Sequence, residues 1–170
     1  MIRFLIFYSS LIFLSYNCNA QSRAEMGVGA IGLVVHDLEA SEQFYTQILG
    51  MIEVGGFSLD KQWSIDAGAA NNLPFGVKQY KQIDLPSALT IKLAYFDTPV
   101  EKSEINAINT SSGVNYVTLY YDLEQFLGII DRAKAAQIEI TGWVKRDTYQ
   151  LAFIKDPNGI FIEIIGPPDK

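Results

Sequence analysis

Few side chains in this sequence are of a type that does chemistry by itself. His36 is the only histidine, and Cys18 is the only cysteine among 170 residues. A serine-protease-like triad, a thiol nucleophile or a zinc site needs histidine or cysteine with partners at defined spacing, and the chain offers no such set. Glycine-rich phosphate loops and nucleophile elbows are also absent from the sequence. We therefore interpret His36 as a surface residue near a helix start, which leaves carboxylate, amine and amide side chains as the candidates for chemistry.

The elements that must position such side chains occur as a repeat. Residues 30–51 have the pattern of a buried strand, an Asp-capped amphipathic helix and a glycine stop, and residues 115–137 repeat the strand and the helix. In both, the apolar strand runs into Asp-Leu-Glu, at Asp37 and at Asp122. One such unit leaves a sheet face open, whereas two can pair around a shared space. The sequence therefore predicts an α+β fold of paired βαβββ modules, with a curved mixed sheet around a central cavity and the helices outside.

The repeat also sets the domain organisation. We place module one at about residues 27–99, a polar linker at about 100–113 and module two at about 114–167, all within a single domain spanning 21–170. Three further strands are predicted in each module, namely 51–59, 63–70 and 88–96 in the first, and 138–144, 149–154 and 160–165 in the second. The remaining segment, 71–85, is broken by Pro and Gly and is predicted to be a loop or lid.

The first twenty residues have the pattern of a secretory signal peptide. Arg3 precedes an apolar run, and the run ends in Cys18-Asn19-Ala20, which matches a cleavage site. We expect cleavage after Ala20 and a secreted or periplasmic protein. Two alternatives remain: a membrane anchor, for which the run is short, and lipid attachment at Cys18, whose preceding residues match a lipoprotein signal poorly.

The amino-acid composition restricts the classes of molecule that this protein could bind. The chain is 49% hydrophobic and 19% charged, as expected of a folded globular protein, and its formal net charge is −6. An acidic chain without clustered Lys and Arg lacks the electrostatic basis for binding nucleic acid. A small molecule is the expected partner, and no membrane span is expected in the mature chain.

Two motifs resemble the vicinal oxygen chelate superfamily, which includes glyoxalase I, bleomycin-resistance proteins, fosfomycin-resistance enzymes and extradiol dioxygenases. Residues 37–50 contain Asp-Leu-x-x-Ser-x-x-Phe-Tyr-x-x-x-Leu-Gly, and residues 156–163 contain Asp-Pro-Asn-Gly and end in Ile-Glu. The resemblance extends over residues 27–167. It implies the paired-module fold, but it says little about activity because this fold hosts many functions.

In metal-using members of the superfamily, four inward residues hold a divalent ion. The resemblance puts these positions at Ala30, Lys92, Asn115 and Glu163, and only Glu163 is of the usual type. An ammonium repels a cation and a methyl group donates nothing to it. The resemblance therefore implies a degenerate metal site and no cofactor. A divalent metal held by atypical ligands remains the alternative.

The same resemblance makes Lys92 and Glu163 face each other. They would form an acid–base pair or a polar anchor for a ligand, with Glu163 as the candidate catalytic residue, or they would form a salt bridge in place of the lost metal. Asn115 and Tyr121 could donate hydrogen bonds to a ligand, or Asn115 could complete the Lys92–Glu163 network. Seven aromatic residues are candidates for the cavity wall: Trp63, Phe75, Tyr80, Phe96, Trp143, Tyr149 and Phe161. Of these, Trp63, Phe96, Trp143 and Phe161 are the ones we expect to contact a ligand.

We therefore expect a protein similar to the glyoxalase and bleomycin-resistance group that binds a small, partly aromatic or amphipathic molecule between its modules. Three alternatives remain open. The first is a metal-independent lyase or isomerase with Glu163 as base, the second is a metal-dependent lyase or dioxygenase with atypical ligands, and the third is a structural protein with a filled cavity. A monomer and a homodimer are both compatible with the sequence.

Overall fold

The computed structural model describes residues 29–169, so the predicted cleavage site at Ala20 and Cys18 lie outside the described residues. Module one contains β1 Ala30–Val34, α1 Leu38–Gln43, β2 Ile52–Leu59, α2 Lys61–Ala67, β3 Phe75–Lys81 and β4 Thr90–Tyr95. A π-helical segment, Phe44–Ile48, continues α1. Module two contains β5 Tyr116–Tyr120, α3 Leu123–Ala135, β6 Ile140–Lys145, β7 Gln150–Lys155 and β8 Phe161–Gly166.

The strands of each module form one four-stranded mixed sheet, and the two sheets have the same topology. The strand orders are β1-β4-β3-β2 and β5-β8-β7-β6. The first strand of each module pairs in parallel with the last, and the other pairs are antiparallel. The predicted α+β architecture of paired βαβββ modules is confirmed. Within the described residues the two sheets do not join into a closed barrel.

Local capping explains where the two repeated helices begin. The Asp37 carboxylate accepts a hydrogen bond of 3.0 Å from the Ala40 amide, and the Asp122 carboxylate accepts one of 2.8 Å from the Gln125 amide. Such caps satisfy amides that have no partner within the helix. The first helical segment ends before Gly50, and β2 follows. Gly50 has a φ of +73°, a conformation that glycine adopts without steric strain.

The third strand of module one lies elsewhere than the pattern predicted. Residues 63–70 were predicted to be a strand, but Lys61–Ala67 form α2 because the Asp60 carboxylate caps the Trp63 amide at 2.8 Å and Gly68 ends the helix with φ +66°. The loop prediction for 71–85 is also wrong, since Phe75–Lys81 form β3 in the sheet interior. β3 is hydrogen-bonded to β2 on one side and to β4 on the other. These pairings stabilise a strand that the local composition does not indicate.

The helices cover one face of each sheet. Leu33 of β1 and Val35, directly after it, are on this buried side, and so are Val117 and Leu119 of β5. These side chains join one core with Tyr45 of the π-helical segment and with buried residues of α3, namely Phe126, Ile129, Ile130 and Ala133. Burying each large apolar side chain contributes about 1.5–3 kcal/mol. The opposite face of each sheet is more exposed, with Val34 at 50% and Tyr116 at 48%.

The Asp156-Pro-Asn-Gly turn joins the modules through buried hydrogen bonds. Asp156 is buried, and its carboxylate accepts from the amides of Asn158 and Ile160 at 2.9 and 2.8 Å and from the Tyr45 hydroxyl at 3.2 Å. The Asn158 side chain accepts from the His36 amide at 2.9 Å. The hydrogen bonds of this motif therefore hold module two against the first helical segment of module one and the residue before its N-cap.

Candidate functional site

Glu163 lies on the open face of the second sheet, on the side away from α3. In the β5–β8 register it is opposite Thr118, whose hydroxyl donates a hydrogen bond of 2.6 Å to Glu163 Oε2. Both residues are partly buried, while their neighbours Leu119 and Ile164 face the core. The carboxylate is thus oriented by a neighbouring strand and remains on an accessible sheet face.

Aromatic rings surround this carboxylate on the same face. Phe153 lies opposite Glu163 in the β7–β8 register, and its ring is 6.1 Å from Phe161 and 6.5 Å from Tyr116, edge to face in both cases. The Lys155 ammonium lies 4.8 Å from the Phe161 ring centroid. Phe161 was predicted for the cavity wall. Tyr116, Phe153 and Thr118 were missed, because they lie on β5 and β7 and only the register of these strands with β8 places them on the face of Glu163.

Lys92 occupies the open face of the first sheet, opposite Gly32 on β1 and Gln79 on β3. It is partly buried. In the part of the chain that the structure describes, the ion pairs are Lys78 with Glu53 and Glu42, and Lys145 with Asp169. Lys92 and Glu163, which lie on different sheets, do not form the salt bridge that sequence reasoning favoured.

The register corrects the position assigned to Asn115. Gly32 of β1 lies beside Lys92, and Thr118 of β5 lies beside Glu163. Gly32 in module one therefore corresponds to Thr118 in module two. Two residues earlier on the same faces, Ala30 corresponds to Tyr116. Counting back from the capping aspartate gave Asn115 instead, because the connection from strand to helix is one residue shorter in module two.

The side chain of Asn115 forms its hydrogen bonds with the linker between the modules. It is buried, and its amide nitrogen donates to the carbonyls of Ile108, at 3.0 Å, and of Ser111. The Ser111 hydroxyl in turn donates to Asn115 Oδ1 at 3.4 Å. Asn115 therefore holds the linker against β5 and does not extend the Lys92 or Glu163 surroundings.

A second aromatic cluster lies on module one. The rings of Phe75 and Phe96 stack at 5.2 Å, and Trp63 meets Phe75 edge to face at 5.9 Å. By strand alternation Phe96 shares the face of Lys92. The structure thus brings the predicted residues Trp63 and Phe96 together, and α2 is the element that carries Trp63 to them. Trp63 is 45% exposed.

Two predicted site residues lie away from these open faces. Trp143 packs against Phe126 of α3 at 5.9 Å, and its indole N–H donates to Gln150 Oε1 at 3.2 Å. It is on the helix-covered side because β6 presents Gly142 and Val144 to the other side. Tyr121, beyond the end of β5, lines a separate cleft beside α3.

The resemblance to metal-using members of the superfamily can be compared with the donor atoms at the four positions that it implies. After the register correction they are Ala30, Lys92, Tyr116 and Glu163, which offer a methyl group, an ammonium, a phenol and one carboxylate. Between residues 29 and 169, no group of three or more His, Cys, Asp or Glu side chains is arranged to hold a metal. A divalent ion in a protein site needs several oxygen, nitrogen or sulfur ligands of suitable charge.

Fold and site together define a two-module α+β protein with open sheet faces that carry aromatic rings and the Glu163 carboxylate. The sequence matches the model of the Glyoxalase/Bleomycin resistance protein/Dioxygenase superfamily over residues 27–164, and the chain belongs to this superfamily. Among curated proteins, no sequence matches the chain.

Solved structures with low sequence identity share the fold. A glyoxalase family protein from Bacillus cereus is 17% identical, with a TM-score of 0.67 over 88% of this chain and 100% of that one. A glyoxylase/bleomycin resistance protein/dioxygenase domain from Frankia sp. is 19% identical, with a TM-score of 0.61 over 83% and 97%. A glyoxalase/dioxygenase from Nostoc punctiforme is 22% identical, with a TM-score of 0.59 over 88% and 97%.

Proposed function

We propose that this protein binds a small, partly aromatic or amphipathic molecule on its open sheet faces, without a metal ion. The observation that carries the proposal is the Thr118–Glu163 hydrogen bond of 2.6 Å within a strip of aromatic rings. Ligand sites commonly combine an apolar, aromatic lining with a few oriented polar groups. Here the rings would bind the apolar part of the ligand, and Glu163 would orient its polar part.

The proposed ligand contacts come from both modules. Phe153, Phe161 and Tyr116 are on the second sheet, and the Trp63–Phe75–Phe96 cluster is on the first. Lys92 would attract an anionic group, whereas Glu163 would accept a hydrogen bond from a hydroxyl or an amine. The absence of an ion pair between them within 4 Å, among residues 29–169, supports the proposal, because each charge then remains available to a ligand.

The chemistry of the donor set supports the absence of a metal. Ala30 has no donor atom, and the Lys92 ammonium would repel a cation. The proposal therefore assigns no step to a metal.

A second candidate function is metal-independent proton transfer by Glu163, as in a lyase or isomerase. Its carboxylate is hydrogen-bonded to Thr118 through Oε2 and is only partly buried, so a substrate proton could reach it. In this candidate the aromatic strip would position the substrate. The structural relatives include a glyoxalase family protein and a glyoxalase/dioxygenase, which is compatible with an enzymatic role.

Native mass spectrometry of protein purified from its own host tests the proposal. We expect a retained small molecule and no stoichiometric Zn²⁺, Ni²⁺, Mn²⁺ or Fe²⁺, and we expect Glu163→Gln to reduce the retained fraction. Glu139→Gln, at an exposed position between α3 and β6, is the matched control. A stoichiometric metal, or equal ligand retention by both variants, would overturn the proposal. Conversion of the retained molecule by the wild type alone would instead favour proton transfer.

We also propose export from the cytoplasm. The support is the Arg3, apolar-run and Ala20 pattern at the start of the sequence. None of the helices between residues 29 and 169 has the length and apolar character of a membrane span. An N-terminal sequence that begins at Gln21 in the extracellular or periplasmic fraction would support cleavage after Ala20, whereas a lipid-modified N-terminus at Cys18 would favour the anchored alternative.

A further inference from the structure

A cleft of about 460 Å³ lies between the modules, on the helix-covered side of the molecule. Module one supplies the end of the π-helical segment and the β3–β4 connection, and module two supplies the end of β5 and one side of α3. Its apolar lining includes Leu49, Ile83, Leu89 and Tyr120. The size falls in the range of small-molecule sites. The cleft contains none of the residues of the open-face site, so it is independent of the proposed function.

Arg132 provides an oriented cation in this cleft. Its Nε donates to the Ile48 carbonyl at 2.9 Å, which holds the guanidinium across the module boundary. The guanidinium lies close to two glycines: a β-carbon would be 3.0 Å from Nη1 at Gly128 and 3.6 Å from Nη2 at Gly50. In the described part of the chain, Arg132 has no carboxylate partner within salt-bridge distance. The Nη groups therefore have donors available for an anion.

Tyr121 adds a buried hydroxyl that has no hydrogen-bond partner among residues 29–169. The neighbouring Gln82 amide donates instead to the Tyr120 carbonyl at 2.6 Å. Burial raises the pKa of Tyr121, and the charge of Arg132 and the nearby Gln82 side chain act in the opposite direction. An unpaired buried hydroxyl is costly, and a bound ligand or water is the usual partner.

The guanidinium of Arg132 sets the charge expected of a ligand in this cleft. Arg132 and Glu124 are the charged residues of the lining, and both lie on α3. The guanidinium lies beside Gly128, about one helical turn from Glu124, and among residues 29–169 the two side chains form no ion pair within 4 Å. A planar carboxylate matches the guanidinium fork, and the apolar lining suits a ring or a short hydrocarbon.

We propose that this cleft is a second binding site, specific for a small carboxylate with an apolar body. The carboxylate accepts hydrogen bonds from Arg132 Nη, and the Tyr121 hydroxyl supplies a further donor. The apolar body lies against Leu49, Ile83 and Leu89. Both modules contribute, so occupancy also stabilises their contact.

A titration with benzoate, followed by two-dimensional amide NMR, tests this site. Benzyl alcohol serves as the matched uncharged probe. We expect benzoate to shift the amides of Gly50 and Gly128, and benzyl alcohol to bind at least about tenfold more weakly. Arg132→Gln should weaken benzoate binding about tenfold or more, whereas Arg146→Gln, an exposed arginine outside the cleft, should leave it unchanged.

Tyr121→Phe provides an independent test that does not depend on folding of the Arg132 variant. It keeps the ring and removes the hydroxyl, so benzoate binding should weaken about three- to tenfold. The proposal is overturned by equal binding of both probes, by equal benzoate affinity of the Arg132 and Arg146 variants, or by shifts confined to the amides of Tyr116 and Glu163. The last result would locate the anion on the open sheet faces instead.

Discussion

The hydroxyl of Tyr45 in module one donates a hydrogen bond of 3.2 Å to the carboxylate of Asp156 in module two. Tyr45 and Asp156 are both buried, and Asp156 belongs to the turn that also contacts Ser41 through Asn158, at 3.2 Å. The modules are thus held together by a polar contact inside a mainly apolar core. Several predictions about stability depend on this contact, and others concern the glycine of the turn and the helix that carries Trp63.

Tyr45→Phe should lower the free energy of unfolding by about 1–2 kcal/mol, because Asp156 Oδ2 loses one of its two donors in a buried place. Urea unfolding followed by circular dichroism measures the change. Tyr149→Phe, a partly exposed tyrosine, is the control and should change stability by less than about 0.5 kcal/mol. Equal effects of the two substitutions would show that the buried hydrogen bond contributes little.

The pH dependence of stability should carry the signature of Asp156. Burial raises the pKa of this carboxyl above its ordinary value of 3.8, although bonds from Asn158, Ile160 and Tyr45 act in the opposite direction. Above pH 3.8 the folded state then holds this proton more tightly than the unfolded state. This contribution to stability therefore falls as the pH rises through the window up to the raised pKa, and it is constant above that window.

Asp156→Asn removes this titration. The difference in unfolding free energy between wild type and variant should decrease as the pH is raised from about 3.8, the reverse of the usual salt-bridged aspartate. Urea unfolding across this range measures it, with the exposed Asp147→Asn variant as control. A difference that grows with pH would mean that the hydrogen bonds outweigh burial and that the native pKa is lowered.

Gly159→Ala should destabilise the protein by more than about 1 kcal/mol, since alanine is strained at positive φ. Gly159 has φ +90°, and an added β-carbon would be 2.7 Å from the Ser103 carbonyl oxygen of the linker. Gly142→Ala is the matched control, because a β-carbon there meets no atom within 4 Å and φ is not positive. Thermal unfolding should therefore show a lower melting temperature for the first variant only.

Asp60→Ala should loosen α2 and increase the exposure of Trp63. Loss of the N-cap bond to the Trp63 amide destabilises a helix by about 0.5–2 kcal/mol, and α2 is short. In a Trp143→Phe background, Trp63 is the remaining tryptophan, and its fluorescence should shift to longer wavelength. Asp84→Ala, on the exposed β3–β4 connection, should leave the emission unchanged. An unshifted spectrum for Asp60→Ala would mean that ring packing with Phe75 holds Trp63 without the cap.

Features that depend on neighbouring residues could be predicted from the sequence. The caps at Asp37 and Asp122, the repeated strand–helix order and the Asp156-Pro-Asn-Gly turn are short-range patterns, and each is present where the sequence indicated it. Glu163, from the family resemblance, and Phe161, as an aromatic candidate, were both expected to line the cavity, and the two lie two residues apart on β8, which puts them on one sheet face.

Features that depend on pairing between distant strands required the tertiary structure. Counting along the chain selected Asn115, but the parallel register of β5 with β8 puts Tyr116 on the face of Glu163, because a shift of one residue moves a side chain to the opposite face. Whether Lys92 and Glu163 form an ion pair likewise depends on how the two sheets are placed, and the structure shows no such pair among residues 29–169.

The cleft beside Arg132 shows the same limit. Its guanidinium is held by the Ile48 carbonyl of the other module, and no local pattern connects these two residues. The sequence by itself determined the modules, their caps and the turn that joins them, because those features arise from hydrogen bonds within a few residues. The tertiary structure decided which side chains share a face or a cleft, because register and module packing arise from contacts between residues far apart in the chain.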